Sequence, residues 1–453
     1  MEEKRLVILG AGESGTGAAL LAKAKGFVPF VSDASRIRPE YKQELSSNFI
    51  SFEEGKHDET LILSADMIVK SPGIPDSIDI LSKAREKDIE IISEIEFASR
   101  FTKARIIAIT GTNGKTTTSL LTYYLLREGG FNVCLAGNIG NSFAREVIND
   151  QFDYYVLEIS SFQLDDIQSF KADIAIMLNI TPDHLDRYKG NFEEYVEVKF
   201  RIIKNMHETD AFIYYSDDPV ISKYVESHTI LPQKYEISLS GPVQNGCYKE
   251  HDILHFPLIN SEYEFTTPVS AISLKGPHNQ VNASAATLVG LLLKINFRSI
   301  QHGLESFENV AHRMEHVRLI NNIEFINDSK ATNVDSVKYA LQSYNKPIIW
   351  IAGGLDKGND YSSLYDIASN KVKALICLGL DNMKLMESFH QKIDVIDEYD
   401  DIEKAVHKAF SLARPGDLVL LSPACASFDL FQNFRDRGDR FKHAVDKLRK
   451  NLS

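Results

Sequence analysis

The chain has 453 residues, which is too long for one ordinary core and indicates about three domains of roughly 100–200 residues each. With 43% hydrophobic and 25% charged residues, its composition is that of a globular protein and excludes a disordered or fibrous chain. A net charge of −13 argues against a general binder of nucleic acid or of anionic membranes, because such a surface repels both.

The cysteine pattern and the apolar runs indicate where the protein works. Cys134, Cys247, Cys377 and Cys425 are far apart and form no CxxC pair, which favours a reducing compartment and no zinc cluster. The N-terminal apolar run is too short for a signal peptide, and no segment approaches the ~18 apolar residues of a membrane helix. We therefore expect a cytoplasmic protein, monomeric, with small-molecule substrates and no nucleic-acid or membrane partner.

From Arg5 to Glu94, short β-rich runs alternate with polar helical stretches, which predicts a small parallel sheet covered by helices. The string GAGESG at residues 10–15 follows the first strand directly, and Asp33 ends the next strand, so the pair matches a dinucleotide-binding fingerprint. A diphosphate could lie on this turn; the alternative is a purely structural tight turn. A second turn at residues 70–74, KSPGI, would lie on the same rim of the sheet.

A second series of strands starts at Arg105, and its first strand runs into the string IIAITGTNGKTTT at residues 106–118. A strand, a glycine-rich loop and a lysine followed by threonines at a helix start build a cradle for phosphate. We interpret it as an ATP site in which Lys115 reaches the phosphates and the hydroxyl of Thr116 holds Mg²⁺. A strict P-loop has glycine where this chain has Ile109, and the alternative is an ordinary glycine-rich turn.

Polar side chains follow the later strands of this series. Glu158 emerges at the carboxyl end of a buried strand, and beside a phosphate loop such a carboxylate normally coordinates Mg²⁺. The next strand delivers Asn179, Thr181, Asp183 and His184. Because three polar strand ends coincide, we assign a functional role to His184, although a lone histidine at a strand end is more often a surface residue.

Residues 191–206 predict an amphipathic helix, and on pattern alone Lys199 is a surface lysine whose stem packs along it. After about Asp210 the strands become shorter and more polar, until GPHNQVNASAATLVGLLLKI predicts a loop followed by an Ala-rich helix.

A third series of strands starts near Ala311, and its loops read HRME, NDSKATN, GGLDKG and SPACASFD, dense in groups that bind carboxylates, riboses and phosphates. Cys425 lies in the last loop and is interpreted as a buried thiol, since the sequence links no histidine to it. We predict three α/β domains: a Rossmann-like parallel sheet at 1–94, a central P-loop ATPase-type domain at 95–310 and a Rossmann-like domain at 311–453.

With TGTNGKTTT, LEISSFQLD, NITPDHLDRY, KGPHNQVN, HRMEHV and NDSKATN in this order, nearly the whole chain resembles the Mur ligases, the ATP-dependent amide-forming enzymes of bacterial peptidoglycan synthesis. GAGESG with KSPGI, together with SPACASFDLFQNFRDRGDRF, is most similar to the members that add D-glutamate. The resemblance implies that the γ-phosphoryl group of ATP activates a carboxylate as an acyl phosphate, which an amine then attacks.

The resemblance also implies roles for single residues. The residues implied to bind ATP are Gly111, Thr112, Asn113, Gly114, Lys115, Thr116, Thr117, Asn282, Arg313 and Asp328. Those on the UDP-sugar side are Gly12, Ser14, Gly15, Asp33, Ser71 and Asn138, with Arg36 as a candidate contact. Those of the D-glutamate pocket are Thr332, Lys357, Ser427 and Phe434.

Two Mg²⁺ sites are implied as well. Thr116 and Glu158 serve the first, while His184 and a carbamoylated Lys199 serve the second. Carbamoylation turns a cationic side chain into an anionic oxygen ligand, which is what lets a lysine suit Mg²⁺. The implied catalytic residues are Lys115, Glu158, His184 and Lys199.

Other functions are compatible with parts of the sequence. Another Mur-like or folylpolyglutamate-type ligase would share the ATP site, an NAD-dependent dehydrogenase would use the first GxGxxG turn, and a P-loop switch would bind a partner without making an amide. For the ligase we expect domain closure, because the ATP and amino-acid residues lie on different domains.

Overall fold

The computed structural model describes residues 4–183, 187–188, 190–258, 264–308, 311–356 and 358–452. The chain divides into two units, Met1–Ile272 with Val281–Ser306, and Ser273–Gln280 with Phe307–Ser453. The first unit contains two α/β sheets and the second contains one. No helix within the described residues is long and apolar enough to cross a bilayer.

The first sheet is parallel throughout. Its strands are β1 (Arg5–Leu9), β2 (Val28–Asp33), β3 (Ser51–Glu54), β4 (Met67–Lys70) and β5 (Glu90–Ser93), in the order β3-β2-β1-β4-β5. Its helices are α1 (Glu13–Ala24), α2 (Pro39–Ser47), α3 (Glu59–Ile62), α4 (Asp79–Glu86) and α5 (Glu94–Ser99). Strand β1 is apolar at successive positions because helices cover both faces: Leu6 and Ile8 lie in one core, Val7 and Leu9 in another.

The second sheet has nine strands in the order β14-β13-β12-β11-β10-β9-β6-β8-β7, and the pairs from β7 to β12 are parallel. The strands are β6 (Arg105–Thr110), β7 (Val133–Gly137), β8 (Tyr154–Glu158), β9 (Ile174–Met177), β10 (Ala211–Tyr215), β11 (Gln233–Ser238), β12 (Gly246–Glu250), β13 (Ile253–Phe256) and β14 (Phe265–Pro268). The helices are α6 (Lys115–Glu128), α7 (Phe143–Val147), α8 (Ser161–Leu164), α9 (Phe192–Phe200), α10 (Pro219–Ser227), α11 (Pro277–Leu292) and α12 (Phe297–Ser306).

The third sheet has the order β15-β16-β20-β17-β18-β19 and is parallel except for the β15 and β16 pair. The strands are β15 (Glu315–Ile320), β16 (Ile323–Asn327), β17 (Ile348–Gly353), β18 (Val372–Leu378), β19 (Ile396–Tyr399) and β20 (Leu418–Ala424). The helices are α13 (Val334–Gln342), α14 (Tyr365–Lys371), α15 (Met383–Phe389), α16 (Ile402–Leu412) and α17 (Phe434–Leu452).

Charged side chains join the first two sheets within the first unit. Arg145 of α7 forms ion pairs with Glu13 of α1 and Glu44 of α2. Lys70, at the end of β4, is almost fully buried and pairs with Asp166 at 2.7 Å. A further link comes from Glu94, whose Oε1 accepts a 2.5 Å hydrogen bond from the backbone N–H of Ala144. These contacts bind the first sheet firmly to the second.

The three α/β sheets predicted from the sequence are confirmed. The first sheet ends at Ser93 and the second begins at Arg105; the boundaries near residues 94 and 310 stay predictions. Three strands were missed, β3, β15 and β19. Their sequences, SFEE, EHVRLI and IDEY, carry too little apolar character to stand out.

Candidate functional site

The loop between β6 and α6 has the backbone shape of a phosphate cradle. Gly111 and Gly114 have φ values of +151° and +87°, which L side chains rarely adopt. A Cβ atom on Gly114 would lie 2.4 Å from Oδ1 of Asn282, so this position also has no room for a side chain. Helix α6 begins at Lys115, and its first N–H groups therefore face the loop.

Lys115 lies against the loop that it follows. Its ammonium donates hydrogen bonds of 2.8 Å to the carbonyl of Gly111 and 2.9 Å to that of Thr112. The next residues, Thr116 and Thr117, are buried in the first turn of α6. The hydroxyl of Thr117 has no hydrogen-bond partner among the described residues.

Residues that follow β9 hold this loop in place by hydrogen bonds. Oδ1 of Asn179 accepts a 2.8 Å bond from the N–H of Asn113, and its amide donates 3.0 Å to the carbonyl of Asn113. The hydroxyl of Thr112 bonds to the backbone of Thr181 and lies 3.2 Å from the hydroxyl of Tyr195. Asn179 and Thr181, predicted as polar strand ends, thus shape the loop, and Tyr195 is a support that the sequence analysis missed.

Asn282 is far from the loop in sequence but adjacent to it in the structure. It is buried in α11, and its Oδ1 accepts a 3.1 Å bond from the hydroxyl of Thr118. The structure therefore brings this predicted ATP residue to the phosphate loop.

Glu158 lies at the carboxyl end of β8 and is 2% exposed. Its Oε1 accepts a 2.7 Å bond from the side-chain amide of Asn138, while Oε2 is buried with no hydrogen-bond partner among the described residues. The backbone N–H of Asn138 also donates to the carbonyl of Glu158. The carboxylate is thus held by one oxygen with the other left for a ligand.

These groups fit Mg²⁺. No three His, Cys, Asp or Glu side chains converge on one point in the described ranges. Mg²⁺ commonly takes one or two carboxylates and completes its shell with phosphate oxygens and water. The unpartnered oxygen of Glu158 and the hydroxyls that open α6 match this preference.

Lys199 is buried, so its interpretation as a surface lysine is wrong. It is 1% exposed at the end of α9, and its ammonium lies 4.8 Å from the ring centroid of Tyr195. Burial holds the pKa of Lys199 well below its usual range; the charge of Lys115 lowers it further, while Asp183 opposes. The amine of Lys199 therefore holds its proton less tightly than an exposed lysine does, and it lies beside Tyr195, whose hydroxyl contacts Thr112 of the phosphate loop.

Two predicted site residues, His184 and Lys357, lie outside the described residues.

The turn after β1 is built as its fingerprint predicts. A Cβ on Gly15 would meet the carbonyl oxygen of Gly10 at 1.8 Å, so helix and strand approach closely there. Asp33 braces the turn, because its carboxylate accepts bonds from the N–H groups of Ala11 and Ser35 at 2.7 and 2.8 Å. The hydroxyl of Ser71 lies 3.4 Å from the carbonyl of Gly10.

A cavity of about 240 Å³ opens beside this turn, and its lining includes Gly12, Asp33, Arg36, Arg38 and Tyr41. Arg36, the candidate contact from the sequence, lines the cavity, and Arg38 adds a second cation that the sequence analysis did not single out. Ser14 lies in the first turn of the adjoining helix α1 and is half-buried. Asn138 lies with Glu158 instead, as described above.

In the second unit, Asp328 follows β16 and is buried. Its carboxylate accepts hydrogen bonds from the hydroxyl of Ser422 at 2.9 Å and from the N–H of Met314 at 3.2 Å. Burial raises the pKa of Asp328 to about 7, and the nearby charge of Arg313 opposes this. The structure thus places these two predicted ATP residues near each other.

The residues predicted for the amino-acid pocket lie on neighbouring loops of the third sheet. Thr332 is exposed, Ser427 is buried and Phe434 begins α17. The hydroxyl of Ser329, in the loop that carries Thr332, donates a 2.8 Å bond to the carbonyl of Phe434.

Arg437 is the support that the sequence analysis did not assign. It is 1% exposed and donates hydrogen bonds to the carbonyls of Ser329, Gly353 and Cys425. Burial lowers the pKa of its guanidinium. The one feature of the sequence that pointed to Arg437 is its position three residues after Phe434 in the same helix. Cys425 itself is buried and burial raises its pKa, as expected for an inert thiol.

Family models match three stretches of the chain: "Mur ligase MurD-like, N-terminal domain" at 4–93, "Mur ligase middle domain" at 109–290 and "Mur ligase, glutamate ligase domain" at 312–425. Two relatives are the UDP-N-acetylmuramoylalanine--D-glutamate ligases of Christiangramia forsetii and Porphyromonas gingivalis (strain W83). Both are 48% identical; the alignments cover 98% of this chain, with 100% of the first relative and 98% of the second.

Solved structures share the fold at low identity. A pseudomurein peptide ligase type C from Methanothermus fervidus matches with TM-score 0.61 and 21% identity, over 98% of this chain and all of that one. The UDP-N-acetylmuramate-alanine ligase of Thermotoga maritima matches with TM-score 0.62 and 17% identity, over 99% of each chain. The sheets, the phosphate loop and these relatives lead to one conclusion: the chain belongs to the Mur ligase family, with the UDP-N-acetylmuramoylalanine--D-glutamate ligases.

Proposed function

We propose that this protein is an ATP-dependent ligase that joins D-glutamate to UDP-N-acetylmuramoyl-L-alanine in peptidoglycan synthesis. The observation that carries the proposal is the 48% identity to ligases of that name over 98% of the chain. We further propose that it works as a cytoplasmic monomer. In this proposal the predicted domain at 1–94 binds the UDP-sugar, the domain at 95–310 binds ATP and the domain at 311–453 binds the amino acid.

ATP binds at the phosphate loop in this proposal. Gly111 and Gly114 let the backbone N–H groups of the loop approach the phosphates, and Lys115 exchanges its two carbonyl partners for phosphate oxygens. The cradle is completed by Thr112, Asn113, Thr116 and Thr117, and Asn282 lies at its border. Arg313 and Asp328 bind the rest of the nucleotide.

Glu158 and Thr116 would hold one Mg²⁺, and His184 with a modified Lys199 would hold a second. When bound, the ions supply positive charge that stabilises the transferring phosphoryl group. The substrate carboxylate attacks the γ-phosphorus, ADP leaves, and the acyl phosphate forms. The amine of D-glutamate then attacks the acyl carbon, and phosphate leaves as the amide bond closes.

Lys199 is suited to carbamoylation because its amine is buried and its pKa is held low. The neutral nitrogen attacks carbon dioxide, the nitrogen loses a proton, and a carbamate anion remains. This anion would lie beside the cationic Lys115, whose charge favours it.

The proposed UDP-sugar turn consists of Gly12, Ser14, Gly15, Asp33 and Ser71. Arg36 lines the cavity beside it. Asn138, also proposed for the UDP-sugar side, lies beside Glu158. Thr332, Lys357, Ser427 and Phe434 form the proposed D-glutamate pocket, in which hydroxyls and a cation satisfy two carboxylates.

The deciding experiment supplies the purified protein with ATP, Mg²⁺, UDP-N-acetylmuramoyl-L-alanine and an equimolar mixture of D-glutamate, L-glutamate and meso-diaminopimelate. Mass spectrometry should find one new product, heavier by one dehydrated glutamate, and phosphate should be released only when both substrates are present. A separate reaction with each amino acid identifies the enantiomer. Equal product formation from L-glutamate would overturn the substrate assignment.

A further inference from the structure

A second and larger cavity lies beside α9, in the first unit. Its volume is about 630 Å³, and its lining includes Ile167, Phe200, Arg201, Lys204, Tyr224 and His228. We call it the ring pocket. None of the residues assigned above to ATP, sugar or amino acid lines it, and its volume lies in the range of small-molecule sites.

Three aromatic rings form a stacked ladder in the ring pocket. The centroids of Phe200 and Tyr224 are 3.6 Å apart with planes inclined by 9°, and those of Tyr224 and His228 are 3.9 Å apart with planes inclined by 10°. A ladder of parallel rings favours a flat ligand that continues the stack.

The rings are fixed before any ligand binds. The hydroxyl of Tyr224 donates a 3.1 Å bond to Glu197, and Nδ1 of His228 lies 3.0 Å from the carbonyl of Tyr224. The hydroxyl of Ser227 lies 3.0 Å from the same nitrogen. These two neighbours of Nδ1 give the imidazole a set orientation.

The charge of the lining favours an anion. Arg201 and Lys204 contribute two cations, and the ammonium of Lys204 makes no hydrogen bond or ion pair within the part of the chain that is described. The one acidic side chain of the lining, Glu197, accepts a hydrogen bond from the neutral hydroxyl of Tyr224 and keeps its charge, so two cations against one carboxylate leave the lining with a net charge of +1. Apolar side chains such as Ile167 and Ile203 complete the wall.

We propose that the ring pocket is a binding site for a planar aromatic anion, distinct from the catalytic substrates. The ring of the ligand stacks on the ladder, and its acidic group pairs with Lys204 and Arg201. Because the site lies beside α9 and outside the groups that hold ATP, binding does not depend on the proposed function.

The test measures binding of naphthalene-1-sulfonate to the full-length protein by titration calorimetry, with 1-naphthol as the uncharged counterpart. We expect one site per chain and binding of 1-naphthol at least about five-fold weaker. Lys204→Glu and His228→Ala should each raise the Kd about five-fold or more, while Lys223→Glu, the same charge change on α10 outside the lining, should not.

A crystal soaked with naphthalene-1-sulfonate should show the ring against His228. Thermal unfolding confirms that each variant is folded; both altered residues are exposed, so their replacement should leave the fold intact. Absent binding, binding equally affected by Lys223→Glu, or a ligand found elsewhere would each refute the proposal. If the unsubstituted protein binds naphthalene-1-sulfonate in the ring pocket but has no ligase activity, the proposed function alone is refuted.

Discussion

The side-chain amide of Asn138 donates a 2.7 Å hydrogen bond to Oε1 of Glu158, and its backbone N–H donates 2.8 Å to the carbonyl of the same residue. Two positions that family resemblance assigns to different ligands therefore form one structural unit. The loop after β7 orients the carboxylate, and the second oxygen of Glu158 stays available.

Asn138→Ala should lower the turnover rate about ten- to hundred-fold and raise the Mg²⁺ concentration needed for half the maximal rate, because Glu158 loses the partner that orients it. The matched control is Asn141→Ala at an exposed residue of the same loop, which removes a 2.7 Å hydrogen bond from its side-chain amide to Glu146 of α7. Rates measured across a Mg²⁺ titration decide. An unchanged Mg²⁺ dependence in Asn138→Ala would contradict the orienting role.

Gly114→Ala should abolish ATP binding or weaken it at least about hundred-fold, because the added methyl group would lie 2.4 Å from Asn282 and the backbone has φ +87°. Gly130→Ala is the control for backbone strain, since Gly130 has φ +81° and nothing within 4 Å of an added Cβ. Gly114→Ala should lose more thermal stability than Gly130→Ala, because only Gly114→Ala adds a steric clash to the backbone strain. If both bind ATP equally well, the cradle is misassigned.

Lys199→Ala should lose about a thousand-fold or more in rate, because no carbamate can form and a ligand is removed. Lys199→Arg, which keeps a cation but cannot be carbamoylated, should be as inactive. After acid treatment to remove the carbamate, added ¹³C-bicarbonate should restore activity to the unsubstituted protein and give a carbamate signal in its NMR spectrum. The same signal in Lys199→Ala would place the modification elsewhere.

Glu94 should make the protein less stable as the pH rises. Burial raises its pKa from 4.5 to about 7, so the folded protein binds a proton that the unfolded chain releases. The stability tied to this proton is fully present below pH ~4.5 and is lost as the pH rises through ~7.

Glu94→Gln keeps the acceptor for Ala144 and removes the titration. Between pH 5 and pH 8, its unfolding free energy should rise relative to the unsubstituted protein by up to about 3 kcal/mol. Glu86→Gln, at an exposed glutamate of α4, should show no such divergence. Parallel pH profiles for Glu94→Gln and the parent protein, measured by thermal and urea unfolding, would rule out this assignment.

Arg437→Met should destabilise the second unit by about 3 kcal/mol, because three loop carbonyls lose a buried charged donor. It should also raise KM for the amino acid more than KM for the sugar nucleotide, since the loops of Ser427 and Thr332 shift. Arg440→Met, at an exposed arginine one turn later that pairs with Asp436, is the control. Equal effects of the two variants would remove the special role of Arg437.

Strands and glycines were predictable because their causes are local. The apolar runs of β1 and β17 appear in the sequence since both faces of those strands are covered, with Ile348 and Trp350 in one core and Ile349 and Ile351 in the other. The glycines of the phosphate loop were recognisable because the loop requires φ values that other residues avoid.

Burial of polar groups was not predictable, because it depends on partners distant in sequence. Lys199 has the helical position of a surface lysine, yet the fold leaves it 1% exposed, with its ammonium 4.8 Å from the ring centroid of Tyr195. Arg145 meets Glu13 across 132 positions of sequence. The local sequence pattern around Lys199 does not indicate its burial, and that around Arg145 does not indicate its ion pair with Glu13.

The two hydrogen bonds from Lys115 to the carbonyls of Gly111 and Thr112 set a condition for any anion that approaches the loop. Lys115 gives up its two carbonyl partners only for an anion that binds its ammonium more strongly than two neutral acceptors do. Chloride brings a single negative charge, whereas a polyphosphate chain brings several negative oxygens at once. The two hydrogen bonds from Lys115 to its own loop therefore favour the binding of a polyphosphate over the binding of small anions, which outnumber nucleotides in solution.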